Sequence, residues 1–237
     1  MTFLAASTTA PPASPSLSTM TVPTAIRQRR TIRHYHHTPV DRAMLQELSA
    51  LAMEAPSSWN LQDRSVVVVT SADGLTALTD ATGGQPQPQE APAIFVFVAD
   101  TQGWKDDRRD IDDVARRNGA WSDEFARFFT VASAEFQAAL EARGALREYA
   151  IKDAMIAASF LILAATAAGL ATSPMNGWDE RLVKRAIGIE NRDDLAIALL
   201  VAVGTGAEQR PHPGRRPLAT TAFADRYGVP LTDTTAN

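Results

Sequence analysis

Two arginine clusters far apart in the chain are its most chemically suggestive feature. Arg29, Arg30 and Arg33 follow Arg27 near the start, and Arg215-Arg216 lie near the end. A guanidinium is a planar fork that binds phosphate oxygens bidentately, so clusters that fold together would hold one phosphate. Clusters that stay apart would be solvated basic faces. Two polar stretches separate them: Pro56-Ser57-Ser58-Trp59-Asn60-Leu61-Gln62 and Pro174-Met175-Asn176-Gly177-Trp178. They offer hydroxyls, amides and, at Asn-Gly, a permissive backbone suited to the edge of a heterocycle.

Other constellations are weaker or missing. His34, His36 and His37 raise a metal site, but no cysteine or carboxylate set accompanies them, and a partly exposed basic strand or loop is the plainer alternative. Neither Ser57 nor Ser58 sits in a G-x-S-x-G elbow, and there is no P-loop or H-E-x-x-H. Gly204-Thr205-Gly206 begins like a dinucleotide fingerprint, yet no third glycine follows and Arg210-Pro211 prevents a helix there. The 237 residues are 45% hydrophobic and 21% charged, as in an ordinary globular protein with a sizeable core. A net charge of −4 gives no basic excess for nucleic acid. Zero cysteines exclude disulfides and thiolate chemistry, and fit a cytoplasmic protein.

The elements that must position these groups come next. Met1 to Ile26 carry no charged side chain and are rich in Thr, Ser, Ala and Pro, so a flexible tail is expected, with the tail proper over 1–24. Asp41 can cap a helix whose apolar positions Met44, Leu45, Leu48, Leu51 and Ala52 follow the helical period. That helix should stop at Ala55-Pro56. Ser65–Thr70, Ala93–Ala99 and Leu195–Val203 read as three buried strands. Asp73–Ala81 predicts a short helix, Gly83–Gln89 a loop, and Asp179 a cap for a helix through Ile187.

Trp104–Asn118 balances five basic residues against five aspartates, as in a solvated helix or loop. Trp121, Phe125, Phe128, Phe129, Phe136 and Leu140 then recur at helical spacing, as a core stripe or as a lid over a flat substrate. Ala154–Leu170 has no charge and is apolar all round, which predicts a helix with both faces buried, ended by Gly169 in a left-handed cap. At about 17 residues and without a basic flank it is a poor membrane span. Ser173 to Trp178 reads as a tight turn, and Leu218–Asn237 as an extended polar tail with Phe223 and Tyr227 as anchors. Interspersed helices and strands indicate one α/β (α+β) domain, a layered mixed sheet flanked by helices.

In order and spacing, these pieces resemble the nitroreductase family of flavin enzymes. Arg29-Arg30-Thr31-Ile32-Arg33-His34-Tyr35 with Pro39-Val40 is similar to the family's R-R-S-x-R-x-F…P-V opening, and Ala55-Pro56-Ser57-Ser58-Trp59-Asn60-Leu61-Gln62 to A-P-S-S-x-N-x-Q-P-W. Ala91-Pro92-Ala93, Lys152-Asp153, Gly169-Leu170, Pro174-Met175-Asn176-Gly177-Trp178-Asp179, Gly204 and Arg215-Arg216-Pro217-Leu218 complete the set, over roughly residues 25–220. Residues 221–237 would be an extended C-terminal tail.

The resemblance implies a nitroreductase-like fold that binds FMN at a homodimer interface, with the long central helix as its spine. It implies that Arg29, Arg30 and Arg215 or Arg216 hold the FMN phosphate. Thr31 would keep the hydroxyl of the family's serine, and Arg33 would sit by the pyrimidine edge. Pro56, Ser57, Ser58 and Asn60 would reach the flavin from the other subunit, and Met175, Asn176 and Gly177 would lie by the reactive nitrogen. The implied activity passes electrons from NADH or NADPH through FMN to a small-molecule acceptor such as a nitroaromatic or quinone. No side chain is expected as an obligate acid or base. Other flavin chemistry, or flavin binding without catalysis, are the alternatives. Asp63-Arg64 replaces the family's Pro-Trp, and Trp104 to Arg143 matches no family motif.

Overall fold

A computed structural model describes residues 20–231. Its frame is a four-stranded sheet in the order β1-β2-β4-β3, with β1 Arg64–Val69, β2 Ala93–Asp100, β3 Ala171–Met175 and β4 Leu195–Gly204. Neighbouring strands are antiparallel, and Thr31 adds a parallel bridge to Thr172 on β3. The expected layered sheet flanked by helices is the arrangement found. The remaining elements are α1 Val22–Gln28, α2 Arg42–Met53, α3 Ala72–Ala81, α4 Pro86–Glu90, α5 Arg109–Arg117, α6 Asp123–Ala142, α7 Leu146–Ala167 and α8 Glu180–Ala186.

The two central strands explain their own composition. Phe95 and Phe97 on β2, with Val201 and Val203 on β4, turn to one face and meet α2 and α7. Ile94, Val96 and Val98, with Leu200 and Ala202, turn to the other and meet α3 and α8. Both faces are covered, so alternation disappears and the strands read as continuous apolar runs. A register shift opposite Phe97 and Val98 makes Ala198 the extra residue of a bulge. Helix α7 lies across this sheet on Ala154, Ala157, Ala158, Leu161 and Ala165, all fully buried. Small alanines let the helix approach closely, and Leu161 alone contributes about 2 kcal/mol by burial.

Caps set several boundaries as expected. Asp41 Oδ1 accepts the Ala43 amide at 3.3 Å, and Asp179 Oδ1 accepts that of Leu182 at 3.0 Å. Gly169 has φ 77° just past α7, where the amide of Leu170 returns to the carbonyl of Ala165 at 2.9 Å. This is the left-handed stop that a residue with a Cβ would adopt only under strain.

Several expectations are corrected. Helix α1 begins at Val22, inside the stretch read as tail, because Thr21 caps it and Pro23 sits in its first turn. The rest of that stretch, residues 1–19, and the end of the C-terminal tail, residues 232–237, lie outside the described residues. Helix α4 occupies part of the Gly83–Gln89 loop and also starts on a proline. Helix α7 starts at Leu146, eight residues before the uncharged run, since Arg147, Glu148 and Lys152 face solvent and are compatible with helix. Ser173-Pro174-Met175 is strand, not turn. Strand β3 is an edge of the sheet, where proline's missing N–H breaks no ladder.

Helix α7 is also not covered all round within one chain. Ile156 and Phe160 are 38% and 41% exposed. Among the described residues it is the one helix long and apolar enough to cross a membrane, but its inner face is occupied by the sheet and α2.

Candidate functional site

The segment after α1 is laid along the sheet by backbone and carboxylates together. The Ile32 amide donates to Thr172 O at 3.1 Å and that of His36 to Thr205 O at 2.9 Å. Between them, the Arg33 amide donates to Glu208 Oε1 at 2.7 Å and the Tyr35 amide to Glu90 Oε2 at 3.0 Å. Tyr35 is buried, and its hydroxyl donates to Ala202 O at 3.4 Å, so burial drives its pKa far above the usual tyrosine range. His34, a candidate metal ligand, instead pairs with Glu90 at 3.1 Å.

This anchoring brings Arg29 and Arg30 to the second arginine cluster. Burial, then Arg215 and Arg30, lowers the pKa of Arg29. Both Arg215 and Arg216 are exposed, and Arg215 is the member of the pair whose charge acts on Arg29. None of Arg29, Arg30 and Arg215 has a carboxylate partner among the described residues. Arg30 folds back on Arg27 O at 2.7 Å and Arg29 O at 2.8 Å, which leaves its buried Nε unpaired. Arg29 Nη1 donates to Thr31 Oγ1 at 3.4 Å. Like charges assembled without counter-charge, beside an orphaned donor, fit a phosphate. Arg33 keeps its side chain in solvent.

His212 joins this cluster. Its pKa is lowered by desolvation and by Arg30, Arg215 and Arg29. Its Nδ1 accepts the Gly214 amide at 2.9 Å, which leaves Nε2 to carry the proton of the neutral ring. In the sequence this residue is one more loop histidine; only its neighbours distinguish it.

The polar loop after α2 is strained and tightly held. Trp59, Asn60 and Gln62 have φ of 55°, 53° and 56°, a region that costs a non-glycine residue roughly 1–3 kcal/mol. Ser57 Oγ accepts the Gln62 amide at 3.0 Å. Asp153, on α7, accepts the Ser58 amide at 3.0 Å and hydroxyl at 3.2 Å. Arg64 donates to the Pro56 carbonyl at 3.1 Å and to that of Met53 at 3.2 Å, and also reaches Ala55. It thereby caps the carbonyl end of α2. Asp63 pairs with Arg108, whose Nη1 also donates to Leu61 O at 3.3 Å. The Asp63-Arg64 departure from the family pattern therefore supplies two struts of this loop. Burial outweighs Arg108 and raises the Asp63 pKa to about 6.

At the far end of β3, Met175 is buried in the core while Asn176 and Gly177 are exposed. Gln85 Nε2 donates to Gly177 O at 2.9 Å, and the Gly177 N–H has no acceptor among the described residues. Trp59 faces the next layer out, with ring centroids 6.5, 6.3 and 6.0 Å from Phe128, Phe129 and Phe136. Phe129 is buried while Phe125, Phe128 and Phe136 remain 41%, 57% and 38% exposed, so α6 carries a core stripe and an open aromatic stripe side by side. A groove of about 520 Å³ beside Asn60 and Gln62 is lined by Val114, Asn118 and Trp121. A groove of about 850 Å³ near Val68 and Thr70 contains none of the expected site residues.

One chain does not bring all these parts together. Strand β1, which follows the Ser58 loop, starts at Arg64 opposite Ala99, and Ala99 lies opposite Ala196. The arginine segment meets β3 at Thr172, opposite Val203. Arg64 and Thr172 are thus on opposite edges of the sheet and seven residues apart along β4, at least about 25 Å from each other.

A sheet with helices on both faces, an arginine cluster without carboxylate partners and a polar loop held under strain define an α+β protein whose charges are suited to a phosphate. The profile of the nitroreductase family matches residues 26–205, and the chain belongs to that family of oxidoreductases. It is 33% identical over 209 residues to an NADH dehydrogenase of Thermus thermophilus, covering 86% of this chain and 95% of that one. A Bacillus subtilis structure named as the nitroreductase ydfN superposes with a TM-score of 0.74 at 26% identity, over 85% of this chain and 96% of that one. A structure named as a nitroreductase in complex with FMN, from Exiguobacterium sibiricum, gives 0.77 at 22% identity, over 87% and 98%.

Proposed function

We propose that the chain is an FMN-dependent oxidoreductase that takes electrons from NADH or NADPH and passes them to a small acceptor such as a nitroaromatic or quinone. It would work in the cytoplasm as a homodimer. The observation that carries this is the unpaired cluster of Arg29, Arg30 and Arg215, with its orphaned Arg30 Nε, at one end of β3 and the free Gly177 amide at the other. Arg29, Arg30 and Arg215 would hold the phosphate, with His212 beside them. Thr31 and Arg33 would follow along the flavin, Arg33 favouring negative charge on the ring. The Gly177 N–H would face the ring, with Met175 and Asn176 setting the loop.

Bound FMN would supply the hydride chemistry; the protein binds, orients and tunes. The attachment of the Ser58 loop and the arginine segment to opposite edges and opposite ends of the sheet supports a site completed by a second copy. In that arrangement Pro56, Ser57, Ser58 and Asn60 come from the partner. The exposed Ile156 and Phe160 of α7 would be covered in the same interface. Donor and acceptor would use one site in turn, giving ping-pong kinetics.

The test is a visible spectrum of the purified protein, then anaerobic addition of NADH or NADPH. A yellow protein bleached by either nicotinamide is expected, with parallel lines in a two-substrate initial-rate plot. A colourless protein that takes up no added FMN would overturn the proposal. FMN retained but reduced by neither nicotinamide would leave flavin binding and remove the activity.

A further inference from the structure

Asp153 is a carboxylate in the wrong company. It is 8% exposed, it sits in the helix otherwise packed on the sheet through alanines and Leu161, and neither anion binding nor electron transfer requires it. Both its oxygens are used on one residue. Oδ2 accepts the Ser58 amide at 3.0 Å and Oδ1 faces Ser58 Oγ at 3.2 Å. The charge of Arg64 acts on the same carboxylate from the start of β1, so the buried ion is compensated.

The geometry fixes a direction. A carboxylate only accepts, so the single hydroxyl proton of Ser58 must point to Asp153. Ser58 Oγ is thereby left with a free lone pair and no free proton. The next two residues, Trp59 and Asn60, turn through left-handed backbone, which the doubly held Ser58 helps to enforce.

We propose that Asp153 is a positioning residue that locks Ser58 as a hydrogen-bond acceptor toward the flavin and holds the strained loop that presents it. This rests on the flavin assignment above. A ligand N–H would be recognised there, and a ligand carbonyl rejected.

Asp153→Asn tests it, because the shape is kept and the polarity changes. The amide oxygen must take the Ser58 N–H, so the NH2 faces Oγ and the hydroxyl turns round into a donor. Apoprotein would be titrated with FMN by quenching of flavin fluorescence, for wild type, Asp153→Asn, Ser58→Ala and the double variant. Asp153→Asn should weaken FMN binding by up to about tenfold, the scale of one lost neutral hydrogen bond. The double variant should be no weaker than the worse single one, because both act through one hydroxyl. The absorption band of the flavin still bound to Asp153→Asn should be displaced from that of wild type, which a purely structural role would not cause.

Equal FMN affinity and spectrum in wild type and Asp153→Asn would overturn the proposal, as would additive losses in the double variant. If Asp153→Asn does not fold, Ser58→Ala decides: unchanged FMN affinity and spectrum would overturn it, and weaker binding would uphold it. Wild-type apoprotein that takes up no FMN would instead remove the flavin assignment beneath it.

Discussion

Asp63 and Arg108 form an ion pair in which the acid is nonetheless the disadvantaged partner. Its side chain is 12% exposed, and burial, with Asp100 and Asp106 nearby, outweighs Arg108 and lifts its pKa to about 6 from 3.8. A carboxyl with a raised pKa binds its proton more tightly in the fold. That stabilisation is complete below the unfolded value and is lost as pH rises through about 6.

Asp63→Asn keeps the shape and removes the titration. Between pH 4 and pH 7 its stability relative to wild type should therefore rise by roughly 2 kcal/mol. Urea unfolding of both proteins across that range measures it. A difference that stays flat with pH would refute the assignment.

Arg29→Ala should weaken FMN binding by about 10–100-fold, the cost of a charge-assisted contact to phosphate. Lys105→Ala should leave it unchanged, since Lys105 is spent on Glu141 at 2.6 Å on an exposed surface. Fluorescence titration of both apoproteins separates the cases; equal retention would count against the phosphate site.

Phe160→Glu places a charge on the open face of α7. If that face meets a second copy, the variant should sediment as a monomer and lose most of its FMN, with the chain still folded by far-ultraviolet circular dichroism. A monomeric wild type that is fully loaded with FMN would remove the dimer altogether.

Trp59→Gly sets strain against packing. Glycine would relieve the left-handed backbone by about 1 kcal/mol but would lose ring contacts with Phe128, Phe129 and Phe136, each about 0.5–1.5 kcal/mol. The variant should be less stable by about 1–2 kcal/mol in urea. A more stable variant would show that the three contacts are weaker than the strain.

The sequence by itself determined whatever depends on near neighbours. The apolar runs of β2 and β4 were legible because both faces of those strands are covered. Asp41, Asp179 and Gly169 marked helix ends because capping is a matter of two or three residues. The ordered motifs from Arg29 to Leu218 pointed to the family, and the profile match over residues 26–205 agrees.

Tertiary structure alone decided the rest, because it depends on which distant segments meet. Pro174 looked like a turn until an edge position gave it a strand to belong to. Asp153 and Ser58 are 95 residues apart in sequence, and no local period announces a carboxylate that turns inward. Arg29 and Arg215, far apart in sequence, come near enough for their charges to interact only in the folded chain. The separation of that pair from the Ser58 loop follows from strand order and register, which are fixed by long-range pairing rather than by any one segment.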